Sequence, residues 1–488
     1  MKTKEPAWDL YSAAILAVFC FFQVMQWPLL PKFMDIYYHL FVMKGFAQAG
    51  GYVTRSFWEY APVGRPHLYP PFLHLLMLGL YKLGLSEMTI ARLVECALYP
   101  AVLAVQWVVL KRLFNSRIAF FVTVIFSSVY SLTLATVILS PFSLAYLVGL
   151  LALLSLEKGK VLFSGLLLAL CFYTHTWMAW TLLLTVLFYG VLRREKRKEA
   201  VFASLIAVTL ALPFLIFQFS NRAFFSFIKT KENLLLEIDP SVYCLAIFGA
   251  VTAFRKKGPA LLAFCLVLAT LPLSVTHRFR FFSGHGLVGW IWLAGFAADE
   301  IFCRLCEVGE KRKWGLAWLL IFTLFFSLAA PTFFYDLKEH KNRLVFFNRS
   351  MSQYLTAPSD KNFRAKGFTI YFEKEYNEIV RIVLAHTEKG DILWSNFNHG
   401  GGLIALLSDR ATSSAMLQEV KPYRPFDEIR AARLLIWFKE PDGDLPKDME
   451  RLIKKYQPRP VAETDFVYIY ENLEGFSKSR PLNKHKDF

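Results

Sequence analysis

The sequence predicts an α-helical polytopic membrane protein of about 11 transmembrane helices that carries a C-terminal extracytoplasmic α/β domain. Three observations predict it. Hydrophobic residues make up 55% of the 488 and charged residues only 19%, with a mean hydropathy of +0.38, too apolar for a soluble enzyme of this length. Apolar segments of spanning or near-spanning length recur from Leu10 to Pro331, with short basic clusters between them. From Phe334 onward charges become frequent, and no later segment is apolar enough to span.

The apolar segments run in order from Leu10 to Leu30, Leu93 to Leu110, Ile118 to Leu139, Phe142 to Leu156, Val161 to Thr174 and Thr176 to Leu192. They continue from Val201 to Phe219, Ser241 to Phe254, Pro259 to Thr276, Phe281 to Ala298 and Trp314 to Pro331. The first lacks a small-residue cleavage site and reads as a retained helix. Several fall short of the ~20 residues of a perpendicular span, so the count needs the positive-inside rule. With Lys2 and Lys4 cytoplasmic, eleven spans put Lys111, Arg112 and Arg117, Lys158 and Lys160, the 193–198 cluster, Arg255 to Lys257 and Lys311 to Lys313 on the cytoplasmic side. Counting Tyr69 to Leu85 as a span would put the 193–198 cluster outside. That stretch is therefore read as an amphipathic or partly embedded helix in a long first external loop, 31–92. The same parity divides 161–192 into two short helices that turn near His175.

This reading gives a transmembrane domain over 1–333, including the large external loop, and an extracytoplasmic domain over 334–488. In the latter, Asp391 to Ser395 and Leu434 to Phe438 read as buried strands, and Asp465 to Tyr470 alternates as a strand. Lys374 to His386 and Lys447 to Tyr456 have helical periodicity, while Gly400-Gly401-Gly402 reads as a turn between strand and helix. Asn348-Arg349-Ser350 is a glycosylation sequon on the external side.

The net charge of +17 lies in the interhelical clusters, so it points to membrane topology and to no nucleic-acid partner. The seven cysteines lie in or beside apolar segments and imply no disulfide framework; Cys303 and Cys306 read as membrane-interface residues.

Chemistry gathers on the external face. Asp35 and His39, in Met34-Asp35-Ile36-Tyr37-Tyr38-His39, lie one helical turn apart and so share a helix face. His74, His175, His277, Arg278, Arg280 and His285 fall at the same interface. A carboxylate can orient or deprotonate an acceptor, directly or through Mg²⁺ or Mn²⁺, and arginines can stabilise a departing phosphate. Asp35 fits the first need; Arg278 and Arg280, in His277-Arg278-Phe279-Arg280-Phe281, fit the second. The competing structural reading makes Asp35 a helix cap and the arginines headgroup contacts.

The external loop adds Phe57-Trp58-Glu59-Tyr60-Ala61-Pro62-Val63-Gly64 and Tyr69-Pro70-Pro71-Phe72-Leu73-His74. Taken in this order with the Asp35 motif, these segments resemble the first loop of GT-C membrane glycosyltransferases, especially the catalytic subunits of STT3/AglB-type oligosaccharyltransferases. The resemblance implies a GT-C fold and a polyprenyl-phosphate- or polyprenyl-pyrophosphate-linked sugar donor. It makes Asp35 a metal ligand or acceptor-orienting carboxylate; His39, one turn further on, is read from its position as a catalytic or metal-binding partner. His74, Glu59 and His175 join Arg278 and Arg280 as residues meeting lipid phosphate or acceptor.

Ile392-Leu393-Trp394-Ser395-Asn396-Phe397 is similar to the strand that carries Trp-Trp-Asp-Tyr-Gly in that family, but the second Trp and the Asp are missing. This argues against transfer to an Asn-x-Ser/Thr sequon. The family's second acidic motif is also missing: the corresponding loop reads Leu139-Ser140-Pro141-Phe142-Ser143. A metal would then fall to His39, His175 or Glu59, or be dispensed with. The expected function is sugar transfer on the external face of the cell membrane, to an acceptor the sequence does not specify. The alternative is an inactive relative or transporter that binds or moves lipid-linked sugars.

Overall fold

A computed structural model describes residues 7–25, 27, 31, 35–129, 140–226, 239–276, 278–307, 311–336, 341–345, 373–416, 419–439 and 447–472. The sequon at 348–350, His277 and the basic tail after Ser477 lie outside the described residues, as does the side chain of Arg278. The chain divides into two compact units. One draws on 1–30, 93–214 and 230–359; the other combines 31–92, 215–229 and 360–488. The long loop 31–92, assigned from sequence to the membrane domain, thus packs in the same unit as the C-terminal sheet.

The first unit is mainly helical: α1 (Trp8–Met25), α4 (Glu87–Leu113, which begins in the other unit), α5 (Ser116–Ser128), α6 (Ser140–Glu157), α7 (Val161–Phe172), α8 (Thr176–Leu192), α9 (Arg197–Ser220, which ends in the other unit), α10 (Pro240–Lys256), α11 (Leu261–Thr276), α12 (Arg278–Ser283), α13 (Leu287–Glu307) and α14 (Lys311–Leu324). Among the described residues six helical stretches are long and apolar enough to cross a membrane: Trp8–Met25, Glu87–Leu113, Ser140–Glu157, Arg194–Ser220, Gly258–Val275 and Arg280–Glu307. Shorter apolar helices accompany them, so this is an integral membrane protein. The expected break at His175 is present, with α7 ending at Phe172 and α8 beginning at Thr176.

Helix α13 is the central packing element, in contact with α5, α10, α11 and α14. Lipid tails are as apolar as side chains, so helices in a membrane associate through close packing and interhelical polar bonds. Both occur here. A Cβ on Gly249 of α10 would lie 1.7 Å from the Leu293 carbonyl oxygen of α13, so only glycine permits that approach. The buried Tyr146 hydroxyl donates to Gln106 Oε1 at 2.6 Å and accepts from Trp292 Nε1 at 3.1 Å, joining α6, α4 and α13. Near the other end of α13, buried Asp299 receives Arg117 Nε at 2.5 Å and Lys256 Nζ at 2.9 Å, which satisfies a carboxylate that would otherwise be costly there.

The second unit is α/β. Helix α2 (Asp35–Ala49) packs on α3 (Phe72–Lys82), with the short hairpin β1 (Arg55–Ser56) and β2 (Arg65–Pro66) between them in sequence. The C-terminal part supplies α15 (Glu373–His386), β5 (Ile392–Ser395), α16 (Asn398–Ser408), β6 (Ala411–Thr412), α17 (Glu428–Ala431), β7 (Leu434–Phe438), α18 (Lys447–Tyr456), β8 (Arg459–Glu463) and β9 (Val467–Glu471). Strands β3 (Thr332–Asp336) and β4 (Lys341–Val345) form a separate hairpin in the first unit. The five-stranded sheet has the order β6-β5-β7-β9-β8, parallel across its first three strands and antiparallel beyond.

Two features of this unit were not apparent from sequence. Gly400-Gly401-Gly402 is buried within α16, as its third to fifth residues, and is not a turn before it. A Cβ on Gly401 would lie 2.3 Å from the Cβ of Ser395, so these glycines let the helix lie close on the sheet. The loop after β1 covers the sheet's edge: Ala61 N donates to Thr412 O at 3.0 Å, and Thr412 N donates to Trp58 O at 2.9 Å. Covering an edge in this way removes a template for aggregation.

Candidate functional site

Asp35 is the first residue of α2 and is half-buried. A helix N-terminus favours a carboxylate, yet burial, assisted by the nearby negative charge of Glu419, raises its pKa from 3.8 to about 6. Desolvation outweighs the helix dipole because the field of a terminus is one weak term, whereas the lost hydration of a carboxylate is large. The result is a carboxylate poised near neutrality.

His39 follows on the same helix but turns to a different partner. It is buried, and its Nδ1 lies 2.9 Å from Nε2 of His74. Buried His67 sits with His74 and Phe46 in the same aromatic cluster, at ring distances of 5.8 Å and 5.2 Å. Burial depresses the pKa of His39 and of His67 to about 3, so both are neutral at ordinary pH. In the unfolded chain each would take up a proton below about 6.5. Folding is therefore expected to lose stability as pH falls from 6.5, read as a declining melting temperature, and His67→Phe is expected to weaken that decline.

Glu59, named from sequence as a substrate contact, is fully buried with both oxygens engaged. Oε2 pairs with Arg65 Nη2 at 2.5 Å, and Oε1 accepts from Met416 N at 2.8 Å. It fastens the loop to the segment after β6. Among the sequence-nominated residues of this unit, only Asp35 combines partial exposure with an altered acidity.

In the helical unit a second constellation forms where three helices begin. His175 is the N-cap of α8, its Nδ1 accepting from Met178 N at 3.2 Å, which leaves the ring proton on Nε2. His285, just before α13, stacks on His175 with ring centroids 4.9 Å apart. Phe142, in the first turn of α6, lies edge-on to His285 at 4.6 Å and to His175 at 6.2 Å. The positive ends of three helix dipoles therefore converge around two imidazoles. Arg280 of α12 lies 5.9 Å from the ring of Trp177, two residues beyond His175. Sequence reasoning placed His285 on this face but not in the site, because a lone His before a helix carries no signal of its stacking partner.

A divalent metal does not fit these residues. Among the described residues no three His, Cys, Asp or Glu side chains are placed to hold an ion. His39 and His74 direct ring nitrogens at each other, and Glu59 is saturated by Arg65 and a backbone amide.

Comparison with protein-family models finds no match, and neither does comparison with curated protein sequences. Solved structures do match. The oligosaccharyltransferase of Archaeoglobus fulgidus, in complex with Zn and sulfate, aligns with TM-score 0.59 at 10% identity, over 94% of this chain and 73% of that one. The same archaeal enzyme, AglB, with an inhibitory peptide and a dolichol-phosphate aligns with TM-score 0.59 at 10% identity, over 95% and 74%. ArnT from Cupriavidus metallidurans, bound to undecaprenyl phosphate, aligns with TM-score 0.55 at 13% identity, over 97% and 99%. Both are GT-C membrane glycosyltransferases, and the chain is similar to them in fold along nearly its whole length. At this identity the likeness concerns fold alone.

Proposed function

We propose that the protein is an integral-membrane glycosyltransferase that moves a sugar from a polyprenyl-phosphate- or polyprenyl-pyrophosphate-linked donor to an acceptor on the external face. The observation that carries the reading is Asp35, a carboxylate with a pKa of about 6 at the start of α2. That acidity suits a general base at neutral pH, ionised yet basic enough to take a proton. In this reading Asp35 orients the acceptor hydroxyl or amine and accepts its proton as the acceptor bonds to the anomeric carbon. The bond from that carbon to the phosphate oxygen breaks, and the lipid phosphate leaves with the electron pair. Within the helical unit, Arg280 beside His175, His285 and three helix N-termini is the proposed site for the lipid phosphate. Arg278 is a second cation for the same task. No step is assigned to a metal, and none to His39, His74 or Glu59, whose polar atoms serve the fold. The topology proposed is eleven spans with a cytoplasmic N-terminus and the C-terminal sheet outside.

The reading is tested by incubating the protein in lipid nanodiscs with radiolabelled polyprenyl-phosphate and polyprenyl-pyrophosphate sugars, with and without EDTA. Transfer that EDTA leaves unchanged is expected. Lipid binding without transfer would favour the inactive relative or transporter. Arg280→Ala is expected to weaken binding of polyprenyl phosphate by about tenfold or more, as loss of a charge-assisted hydrogen bond does. Arg280→Lys should recover part of the loss, and a filter-binding assay with the labelled lipid reads both.

A further inference from the structure

The C-terminal sheet carries a cleft of about 610 Å³ that the proposed transfer reaction does not use. This volume lies within the ~300–1,000 Å³ usual for small-ligand sites. Trp394 of β5, Phe426, Tyr456 of α18, Asp427, Glu428 and Lys455 line it. All belong to one compact unit.

The lining has a definite chemical character. Trp394 is half-buried and backed by Trp437 of the sheet core at 5.9 Å, so its orientation is fixed by packing. Phe426 is held edge-on to Tyr60 at 6.3 Å. Between the rings stand preset polar groups. Asp427 caps α17, its Oδ1 accepting from Arg430 N at 3.0 Å and its Oδ2 accepting from the Tyr456 hydroxyl at 3.0 Å. Oδ1 also accepts from that hydroxyl at 3.3 Å, and Oδ2 keeps a further lone pair. Beside it, burial and the charge of Asp427 raise Glu428 to about 6. Lys455 is held over the Tyr456 ring at 4.6 Å, so donors and acceptors stand on the same rim.

We infer that this cleft is a saccharide-binding site. A sugar ring presents an apolar C–H face, which suits a Trp394 and Phe426 floor, and a rim of hydroxyls that both donate and accept. Asp427 and Glu428 accept hydrogen bonds from hydroxyls, while Lys455 donates to hydroxyl oxygens. A polyamine would meet the Lys455 charge at the mouth. An apolar peptide side chain would leave the ordered carboxylates without a use. The inference stands apart from the transfer reaction, since it rests on none of the residues assigned to it.

The test uses the full chain in nanodiscs, free of glycoside detergents, with mannotriose, cellotriose and triacetylchitotriose as probes, read by saturation-transfer NMR. At least one is expected to give a saturable signal, and Trp394→Ala and Phe426→Ala to weaken it about tenfold or more, as truncated aromatic anchors do. Asp427→Asn keeps the helix cap and is expected to weaken binding without lowering the melting temperature, which covers the case in which the Trp394 variant fails to fold. Asp35→Asn protein should bind the sugar as wild type does, so loss of transfer and loss of this site are read separately. The inference is overturned if no trisaccharide saturates, if Phe426→Ala and Asp427→Asn leave the signal unchanged, or if a sequon peptide or spermine competes for the cleft in place of sugar.

Discussion

Asp35→Asn is expected to lower sugar transfer by about 10²–10⁴-fold, the usual range for loss of a general base, while leaving the protein at least as heat-stable as wild type at neutral pH. The two halves of this expectation have one cause. The folded pKa of Asp35 is about 6 against an ordinary 3.8, so the folded protein binds the proton more tightly than the unfolded chain. The contribution of Asp35 to stability, taken apart from the opposite trend set by His39 and His67, is therefore greatest below about 4 and is lost as pH rises through 6, where the buried charge must form. Asparagine carries no charge and avoids that cost, which is the trade of stability for function expected at a working site. The same acidity fixes the pH profile of wild-type transfer, with kcat/KM falling about tenfold per unit below pH ~6 as the base is protonated. Transfer assays across pH and paired thermal melts check both. A variant that loses transfer and also melts lower would make Asp35 a structural cap instead.

Glu59→Ala is expected to destabilise the α/β unit by about 3–5 kcal/mol, because it breaks a buried ion pair by removing one of its two members. Arg65 has only 2% of its surface exposed, and it pairs with Glu59 at 2.5 Å. Met416 N loses an acceptor in the same step. Glu59→Gln keeps an acceptor for that amide and should cost less. Replacing both ions, Glu59→Leu with Arg65→Leu, should recover part of the loss, since removing the pair together avoids leaving half of a buried ion pair. Melting temperatures of the three proteins decide it. If Glu59 were a substrate contact, Glu59→Ala would instead melt as wild type and raise KM alone.

The second expectation shows why some site residues could not be sorted from sequence. Asp35, Glu59, His39 and His74 look alike in the chain, as polar residues in one aromatic external loop. Their fates differ because burial and partners are set by contacts far along the chain. Met416 is 357 residues from Glu59, and His74 is 35 from His39. The helical break at His175 was readable because basic clusters alternate with apolar segments over a short range. The glycine run at 400–402 was misread because glycine in a turn and glycine under a close helix look the same until the sheet beneath is known.

By itself the sequence determined that this chain lives in a membrane, that its helices break near His175, and that β5, β7, β9, α15 and α18 belong to the C-terminal part. Apolar length, charge between segments and local periodicity are short-range properties, and the bilayer makes them decisive. Only the tertiary structure decided that loop 31–92 packs in the same unit as that sheet, that His285 stacks on His175 where three helices start, and that Glu59 is an internal anchor while Asp35 carries a raised pKa. Those outcomes depend on which distant groups remove water from a side chain and which replace its hydrogen bonds, and neither is written in its neighbours along the chain.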